Sequence, residues 1–557
     1  MDPKNSANQS SSPFVSQSFD APPTAPMTPM TPMTPEASSA TPVEPMPATP
    51  SPMAMPEPTP SVEPSQPTVS MEGNMPPADL LANANTESSS QPTSPFPQSA
   101  SPVPPPPVIA PSRKFPKKLL AIIVFLLVLV LGVVGVFAAI SGGVKLPGGK
   151  TTITWWSLWE DDSIITPLIT EYQTKNPGVE IKYVKQSKED YRERLTNALA
   201  KGDGPDIFRF HNTWVPMFSS RLSTMPSSVM SAQEFTQTFY PVVLSDLAAG
   251  SGFVGIPLMY DGLGLYINED IFTTYGQTTP VTWYDVRDLA QQMTVKDEAG
   301  VIKQAGVSLG TTANVDNWQE ILALMMIQNG VDLKNPTGEN AIQALKFYTA
   351  FSKQYGVWND TLPTSTIAFA SGKVAMYIGP SWRAHEIRQQ NPTLKFRVVP
   401  VPQLPKATAE DPDIAYATYW VEGVNSQSKV STEAWKFLKF LSEKESLTKM
   451  YKNATAVRAF GALYPRRDMQ ELIASDPLVN GVIATATNAK SWYLASRTFD
   501  GQSGINSQLS KYFEDGVNAM NGSSASDGKS VLETVSAGVQ SVLVQFRLIA
   551  PPPAVKK

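Results

Sequence analysis

Histidine and cysteine, on which much enzyme chemistry depends, are scarce in this chain of 557 residues. It has no cysteine and two histidines, His211 and His385, so disulfides, thiolate metal sites and cysteine nucleophiles are excluded. There is no HExxH zinc motif, and a Ser-His-Asp triad would lack a GxSxG turn. The string GGKT resembles a phosphate loop, but Val144 stands where that motif requires glycine. We therefore predict no cofactor and no metal site.

The remaining candidates for chemistry are carboxylates and aromatic rings. Residues 153–163, ITWWSLWEDDS, place three tryptophans beside Glu160 and two aspartates. Two carboxylates about 5–10 Å apart across a cleft could hydrolyse a glycosidic bond. Glu160, Asp261 and Glu422 are the candidates for such a pair.

Strand patterns and helix patterns alternate along the chain around the first of these residues. ITWWSLW predicts a strand, and DSIITPLITEYQTK predicts a helix that ends at Asn-Pro-Gly, residues 176–178. VEIKYV and GPDIFRF predict two further strands, separated by a helix that opens with a capping box at Ser187 and Asp190. This alternation is typical of a doubly wound α/β layer with a mainly parallel sheet.

The alternation separates the three indoles. Trp155 and Trp156 point to opposite faces of the first strand, and helices cover both faces, so both are predicted core residues. Trp159 and Glu160 follow that strand at its carboxyl end, the edge at which open α/β sheets bind ligands. Two tryptophans on apolar helix faces, Trp283 and Trp435, are also predicted core residues.

The N-terminal region differs in composition from the rest. Residues 1–112 hold 29 of the 52 prolines, and nine acids against one lysine give a net charge of −8. A segment with so little apolar surface is predicted to be disordered. Because the rest of the chain is close to neutral, we predict no nucleic-acid partner.

An uncharged apolar run at 119–140 is long enough to cross a bilayer of about 30 Å as a helix. Four basic residues within 113–118 precede it, so the positive-inside rule predicts a cytoplasmic N-terminus and an extracellular remainder. The alternative is a signal sequence cleaved after Ala138. We expect a single-pass protein of the cell membrane, with a cytoplasmic tail at 1–116, a transmembrane anchor helix at 117–141 and a linker at 142–151.

A series of segments, in this order, resembles the bacterial extracellular solute-binding proteins of family 1, the maltose-binding-protein-like group. They are ITWWSLW, LITEYQTKNPGVEIKYV, YRERLTNALAKGDGPDIFRF, GIPLMYDGLGLYINEDIF, VTWYDVRDLAQQM, FASGKVAMYIGPSW, VVPVPQLP, YWVEGVNSQSKVSTEAWKFLKFLSEKE and INSQLSKYFEDGVNAM. The resemblance covers roughly residues 151–547. Many relatives are lipid-anchored through a cysteine, and this sequence departs from that pattern.

The resemblance implies an α/β, two-lobed periplasmic-binding-protein-like fold (type II) with a hinge, preceded here by a disordered tail and one transmembrane helix. It implies a monomeric receptor rather than an enzyme, which closes on a solute and delivers it to the permease subunits of an ABC transporter. The implied domains are a solute-binding domain at 152–550, with lobe 1 at 152–262 plus 422–460 and lobe 2 at 263–421 plus 461–550, and a tail at 551–557.

A carbohydrate ligand is also implied, since sugars are held by aromatic platforms together with planar polar groups. Eleven residues at positions where this family lines its cleft are predicted ligand contacts: Trp159, Glu160, Asn212, Trp214, Asp261, Trp318, Trp382, Tyr416, Trp420, Glu422 and Trp492. Asp261 matches an acidic contact of the family, and Trp382, in IGPSW, matches its stacking tryptophan in the second lobe. Strand alternation means that the residues of YATYWVEG cannot all face the cleft.

Two other functions are compatible with the sequence. A glycoside hydrolase would use two of the three candidate acids. A surface receptor or adhesin could use the same fold without transport, with the proline-rich tail as a docking segment or as an inert spacer. The tryptophans and the few charges favour a neutral oligosaccharide, although other members of the family bind polyols and glycerol phosphodiesters.

Overall fold

The computed structural model describes residues 149–551, apart from residues 407, 409 and 523–526. The predicted tail at 1–116, the predicted anchor helix at 117–141 and most of the predicted linker lie outside the described residues. Among the helices in the described ranges, none combines the length and the apolar character needed to cross a membrane.

Strands and helices alternate at the start of the described chain, and helices predominate after residue 425. Strands β1 to β13 are, in order, Thr151–Ser157, Val179–Lys185, Ile207–His211, Ala248–Ala249, Gly252–Phe253, Leu263–Asn268, Val295–Lys296, Ile302–Val307, Val374–Pro380, Phe396–Val399, Ala415–Tyr416, Trp420–Val424 and Ala489–Lys490. Helices α1 to α16 are, in order, Asp162–Lys175, Tyr191–Lys201, Val215–Phe218, Ala232–Thr238, Pro241–Leu247, Glu269–Thr274, Trp283–Met293, Trp318–Gln328, Glu339–Lys353, Ser365–Ala370, Arg383–Gln390, Ser431–Leu441, Lys444–Thr455, Asn480–Ile483, Ile505–Asn521 and Gly528–Gln545.

The sheet of the first lobe has the strand order β12-β3-β1-β2. β1 runs parallel to β2 and to β3, while β12 runs antiparallel to β3. The first five elements, β1, α1, β2, α2 and β3, follow the predicted alternation of strand and helix. Because β12 comes from a much later part of the chain, the sheet is complete only when the chain has returned from the second lobe.

The sheet of the second lobe has the strand order β10-β6-β9-β8-β7. β6 is antiparallel to β9 and β10, whereas β8 and β9 are parallel. The chain crosses between the sheets before β6 and again before β12. The first crossing segment pairs, antiparallel, with β12 at Ile256–Glu422 and with the second crossing segment at Gly262–Ala417. Two sheets joined by adjacent crossings make a two-lobed α/β fold.

Helices α1 and α2 each bury one apolar face. The buried residues recur at helical spacing: Ile164, Ile165, Leu168, Ile169 and Tyr172 in α1, and Tyr191, Leu195 and Leu199 in α2. The predicted capping box of α2 is wrong, since Asp190 makes no side-chain cap hydrogen bond and the Ser187 hydroxyl bonds to Glu189. Burial therefore holds α2 in place, because packing supplies most of the stability of helices in proteins.

Three of the four indoles predicted as core residues lie in the interior. Trp155, Trp283 and Trp435 are fully buried, and Trp156 is partly buried against the core. The Trp155 indole N–H donates to Glu422 Oε2 at 2.9 Å. That bond satisfies the single polar group of this buried ring.

A buried ion pair joins three strands of the first sheet. Arg209 Nε of β3 donates to Glu422 Oε1 of β12 at 2.7 Å, and the two side chains are 2% and 1% exposed. Arg209 Nη1 also donates to the Leu158 carbonyl at 2.8 Å, just after β1. With the bond from Trp155, this network ties β12 and β3 to the end of β1.

We expect Glu422→Gln to destabilise the protein by about 3 kcal/mol, because the buried Arg209 charge would lose its counter-charge. Urea unfolding of the full chain measures this difference. The control is Glu433→Gln, which removes a surface pair with Lys436 and should change stability by less than about 1 kcal/mol. Unchanged stability of Glu422→Gln would contradict this structural role.

Candidate functional site

A cavity of about 370 Å³ is lined by both lobes and by the crossing segments. Trp159 and Glu160 reach it from the first lobe and Trp382 from the second, while Asp261 and Trp420 reach it from the crossings. These are five of the eleven predicted contacts. The volume lies within the range of about 300–1,000 Å³ that is usual for small-molecule sites.

Trp159 lies in a tight turn at the edge of the first sheet. Its φ is +70°, and the Glu160 N–H donates to the Leu158 carbonyl at 2.8 Å across it, as in the rare γ-turn of positive φ. Its ring meets those of Trp420 and Phe499 at centroid distances of 5.7 and 5.9 Å. Strained backbone of this kind concentrates at functional sites, and here it belongs to an aromatic ring at the cavity wall.

Glu160 is buried in the cavity wall with one carboxylate oxygen unused. The residue is 2% exposed, and its Oε1 accepts from Arg458 Nη2 at 3.2 Å. Its Oε2 has no hydrogen-bond partner among the described residues. The Tyr183 hydroxyl donates to its main-chain carbonyl at 2.8 Å. Because a buried acceptor without a partner costs about 1–3 kcal/mol, a ligand that donates to Oε2 would gain affinity there.

Asp261 connects the first crossing segment to the second lobe. Its Oδ1 accepts from the main-chain N–H groups of Ser381 and Gly262 at 2.9 and 2.7 Å, and its Oδ2 accepts from the Ser381 hydroxyl at 3.0 Å. Burial raises the pKa of Asp261 to about 6, although these donors lower it. Since Ser381 precedes Trp382, this carboxylate positions the tryptophan that follows β9.

Trp382 is half-buried at the start of α11, and two guanidinium groups lie close to its ring. Those of Arg383 and Arg497 are 4.4 and 5.6 Å from the ring centroid, within cation–π range. Arg383 is buried and pairs with Asp316 and Glu386 at 3.4 and 2.7 Å. The Arg497 side chain pairs with Asp316 at 3.6 Å and is 43% exposed, so it has more freedom than Arg383 to make room for a ligand.

The other six predicted contacts lie outside the cavity lining: Asn212, Trp214, Trp318, Tyr416, Glu422 and Trp492. Asn212 donates to Asp246 at 2.9 Å, and the Tyr416 hydroxyl donates to the carbonyls of residues 492 and 494. Trp214 and Trp318 are buried, and Trp492 packs against Phe513. Glu422 lies on the same face of β12 as Trp420, two residues further along the strand, which is about 7 Å. At that position it pairs with Arg209.

Among the cavity residues that the sequence analysis did not predict are Glu320, Arg458, Phe460, Arg497 and Phe499. Four of them lie in irregular chain, where no periodicity indicates which side chains face inward. Arg497 and Phe499 have φ of +51° and +53°, a backbone geometry that sequence does not reveal. Glu320 had a usable signal, since it is the one charged residue of the mainly apolar helix WQEILALMMIQ.

His211 and His385 both line the cavity as neutral rings. Burial lowers the pKa of His211 to about 3 and that of His385 to about 4. The His211 ring nitrogens lie 2.8 Å from Thr213 Oγ1 and 3.1 Å from Thr418 Oγ1. Neutral imidazoles can pair with uncharged ligand groups near pH 7. In the described part of the chain, no cluster of acidic and histidine side chains could hold a metal ion.

Comparison with known proteins decides the family. Residues 167–481, more than half of the chain, match the bacterial extracellular solute-binding proteins. The chain belongs to this family. The family predicted from the order of the sequence segments is therefore confirmed.

Individual relatives of this solute-binding protein are distant. A binding protein of Brucella abortus is 23% identical over 299 residues, which cover 51% of this chain and 69% of that protein. The maltodextrin-binding protein MdxE of Bacillus subtilis is 23% identical over 326 residues, 55% of this chain and 73% of the relative. The solved structure of the sugar-binding protein MalE from Xanthomonas citri is 18% identical, with a TM-score of 0.58 over 72% of this chain and 98% of that one. At such identities the structural likeness shows the two-lobed fold.

The stability of this solute-binding protein should depend on the ionisation of Asp261. The pKa of Asp261 is raised above the ordinary 3.8 to about 6. The stability that its protonated form contributes below pH 4 is therefore lost as the pH rises through 6 and the buried group ionises. We expect Asp261→Asn to match the wild type at pH 4 and to be more stable at pH 7 by up to about 3 kcal/mol.

Thermal unfolding at both pH values measures this difference, with Asp288→Asn, an exposed aspartate of α7, as the control. An Asp261→Asn protein that is less stable than the wild type at pH 7 would show that the three donors outweigh burial of the charge.

Proposed function

We propose that this protein is an extracellular receptor for a neutral oligosaccharide, which closes its two lobes on the ligand and delivers it to an ABC-type permease. The composition of the cavity carries this proposal. Trp159, Trp382 and Trp420 line it together with Glu160, a buried carboxylate with an unused oxygen. Aromatic faces pack against the C–H faces of sugar rings, and carboxylates pair with sugar hydroxyls.

The relatives support the ligand class. By their names, the Bacillus subtilis protein binds maltodextrin and the Xanthomonas citri protein binds sugar. From these relatives we infer the ligand class of this chain, carbohydrate, and the titration below identifies the individual sugar. Closure would bring the two walls of the cavity together around the ligand, a hinge motion that ligand contacts in both lobes favour.

The use of the candidate acids supports binding without hydrolysis. Asp261 accepts three hydrogen bonds from protein groups, and Glu422 is held in the Arg209 network. Of these three candidate acids, all within the described ranges, Glu160 alone retains a buried oxygen without a partner. A glycosidase needs two available carboxylates, and no two of these three acids meet that need. We therefore expect the ligand to leave the protein unchanged.

The proposal includes the membrane arrangement of the chain. The apolar run at 119–140 and the basic residues before it support a single-pass anchor, with a cytoplasmic tail at 1–116 and an extracellular binding domain. The domain boundaries and lobe divisions predicted from sequence are part of the same proposal, as is the type II subclass of the fold. Protease added to intact cells should digest the binding domain and spare an N-terminal epitope tag; loss of the tag would contradict this orientation.

Calorimetric titration of the full chain with maltotriose, mannotriose, cellotriose and diacetylchitobiose tests the ligand class. We expect saturable binding of one sugar type, and a ligand at about 100 times its Kd should add about 2.7 kcal/mol of stability in thermal unfolding. Chromatography of the released sugar should show it intact. Binding of amino acids, peptides or polyols in place of any sugar would contradict the proposal.

Trp382→Ala should weaken binding of that sugar by about tenfold or more, because a large aromatic contact at a binding site contributes about 1.4 kcal/mol or more. The matched control is Trp492→Ala, which truncates a half-buried tryptophan outside the cavity lining and should leave Kd unchanged. Circular dichroism checks that both variants fold. An unchanged Kd in folded Trp382→Ala would remove the stacking role.

A further inference from the structure

Two buried carboxylates line the cavity from different lobes, and each has one oxygen without a partner. Glu160 follows β1 of the first lobe, and Glu320 lies in the first turn of α8, in the second. They are 2% and 1% exposed, and neither Oε2 has a hydrogen-bond partner among the described residues. Both residues line the same cavity, so a ligand held there lies against both side chains.

Packing does not account for an acid at position 320. The neighbouring helix positions Ile321, Leu322 and Leu324 are fully buried, and an apolar side chain there would avoid the desolvation of a charge. One Glu320 oxygen has a structural task, because Oε1 accepts from the Ser496 N–H at 2.7 Å and from the Ser496 hydroxyl at 2.9 Å. A glutamine could accept both of these bonds. The ionisable second oxygen is therefore the part of Glu320 that folding leaves unexplained.

We propose that Glu320 is a specificity-determining residue whose Oε2 accepts a hydrogen bond from a hydroxyl group of the bound carbohydrate. With Glu160 on the other lobe, it selects ligands that present hydroxyl donors to both walls of the cavity. This inference rests on the proposed function, since it assigns a contact to the same ligand. A hydrogen bond to a buried carboxylate is stronger than one between neutral groups, which makes the loss of a matching hydroxyl costly for a competing ligand.

Ionisation of Glu320 gives the contact a measurable signature. Burial raises the pKa of Glu320 to about 7, although the Ser496 N–H and hydroxyl that donate to its Oε1 lower it. The phenol of Tyr416 also lies within its electrostatic reach and stays neutral, because burial raises its pKa. Arg497, adjacent to Ser496, is engaged by Asp316 and Trp382. If the ionised carboxylate is the binding form, affinity should rise about tenfold from pH 6 to pH 8, since only the competent fraction binds.

Other titrating groups of the cavity contribute little to this rise. His211 and His385, with pKa values of about 3 and 4, are neutral throughout the window. Asp261, with a pKa of about 6, can add about twofold above pH 6 by the same reasoning. A dependence that disappears with the Glu320 carboxylate therefore identifies its source.

Calorimetric titration of the full chain tests the inference, with the sugar of highest affinity among maltotriose, mannotriose, cellotriose and diacetylchitobiose as the probe. Glu320→Gln should bind this sugar about 10- to 100-fold more weakly at pH 8 and lose all but about twofold of the pH dependence. Its melting temperature should not fall, because the amide oxygen still accepts from Ser496. Glu339→Gln, which changes an exposed acid in the first turn of α9, is the matched control and should bind like the wild type.

The outcomes are distinguishable. If Glu320→Gln binds the sugar as tightly as the wild type at pH 8, the inference is overturned while the proposed function stands. Glu320 would then serve only to anchor Ser496. If Glu320→Gln does not fold, the pH dependence of sugar affinity in the wild-type protein decides. An affinity that is constant between pH 6 and 8 overturns the inference, and a tenfold rise supports it. A wild-type chain that binds no sugar at all would overturn the proposed function, and the inference with it.

Discussion

The buried ion pair of Arg209 and Glu422 is the interaction on which the first-lobe wall of the cavity depends. Glu422 arrives on a strand that joins the sheet only after the chain has returned from the second lobe. Arg209 pairs with it and also binds the Leu158 carbonyl, the same oxygen that closes the turn around Trp159. The charge pair therefore couples completion of the sheet to the position of the first indole and of Glu160. Removing either charge would leave the other buried and unpaired.

The acids of the cavity and of the first sheet divide into two kinds according to what their oxygens contact. Asp261 and Glu422 use both oxygens on protein donors, and they organise the crossing segment and the first sheet. Glu160 and Glu320 line the cavity, use one oxygen on Arg458 and Ser496, and leave the other buried without a partner among the described residues. The first kind determines where the walls stand, and the second kind offers acceptors to a ligand. Burial makes both kinds energetically demanding, because a carboxylate in the interior must find donors.

Local pattern and the resemblance to a family were sufficient to predict the alternation of strands and helices in the first lobe, the buried indoles of Trp155, Trp283 and Trp435, and the family. They were not sufficient for the site. Glu422 shares a strand face with Trp420, and only the three-dimensional position of Arg209, more than two hundred residues away in sequence, decides that it lies in the core. Arg497 and Phe499 reach the cavity through backbone of positive φ in irregular chain, which has no periodic signature. The predicted capping box of α2 was also wrong. The helix begins without a side-chain cap, and its buried face, which depends on the rest of the fold, holds it in place.

In the proposed complex, the cavity holds a carbohydrate through indole rings and the unpartnered oxygens of Glu160 and Glu320. A crystal structure of the full chain with its tightest-binding oligosaccharide tests this most directly. We expect electron density for the sugar in the cavity, with hydroxyl groups within about 3 Å of Glu160 Oε2 and Glu320 Oε2 and a sugar ring against Trp382 or Trp159. Density for the sugar elsewhere on the protein, or in the cavity with both oxygens left without a ligand hydroxyl, would contradict it.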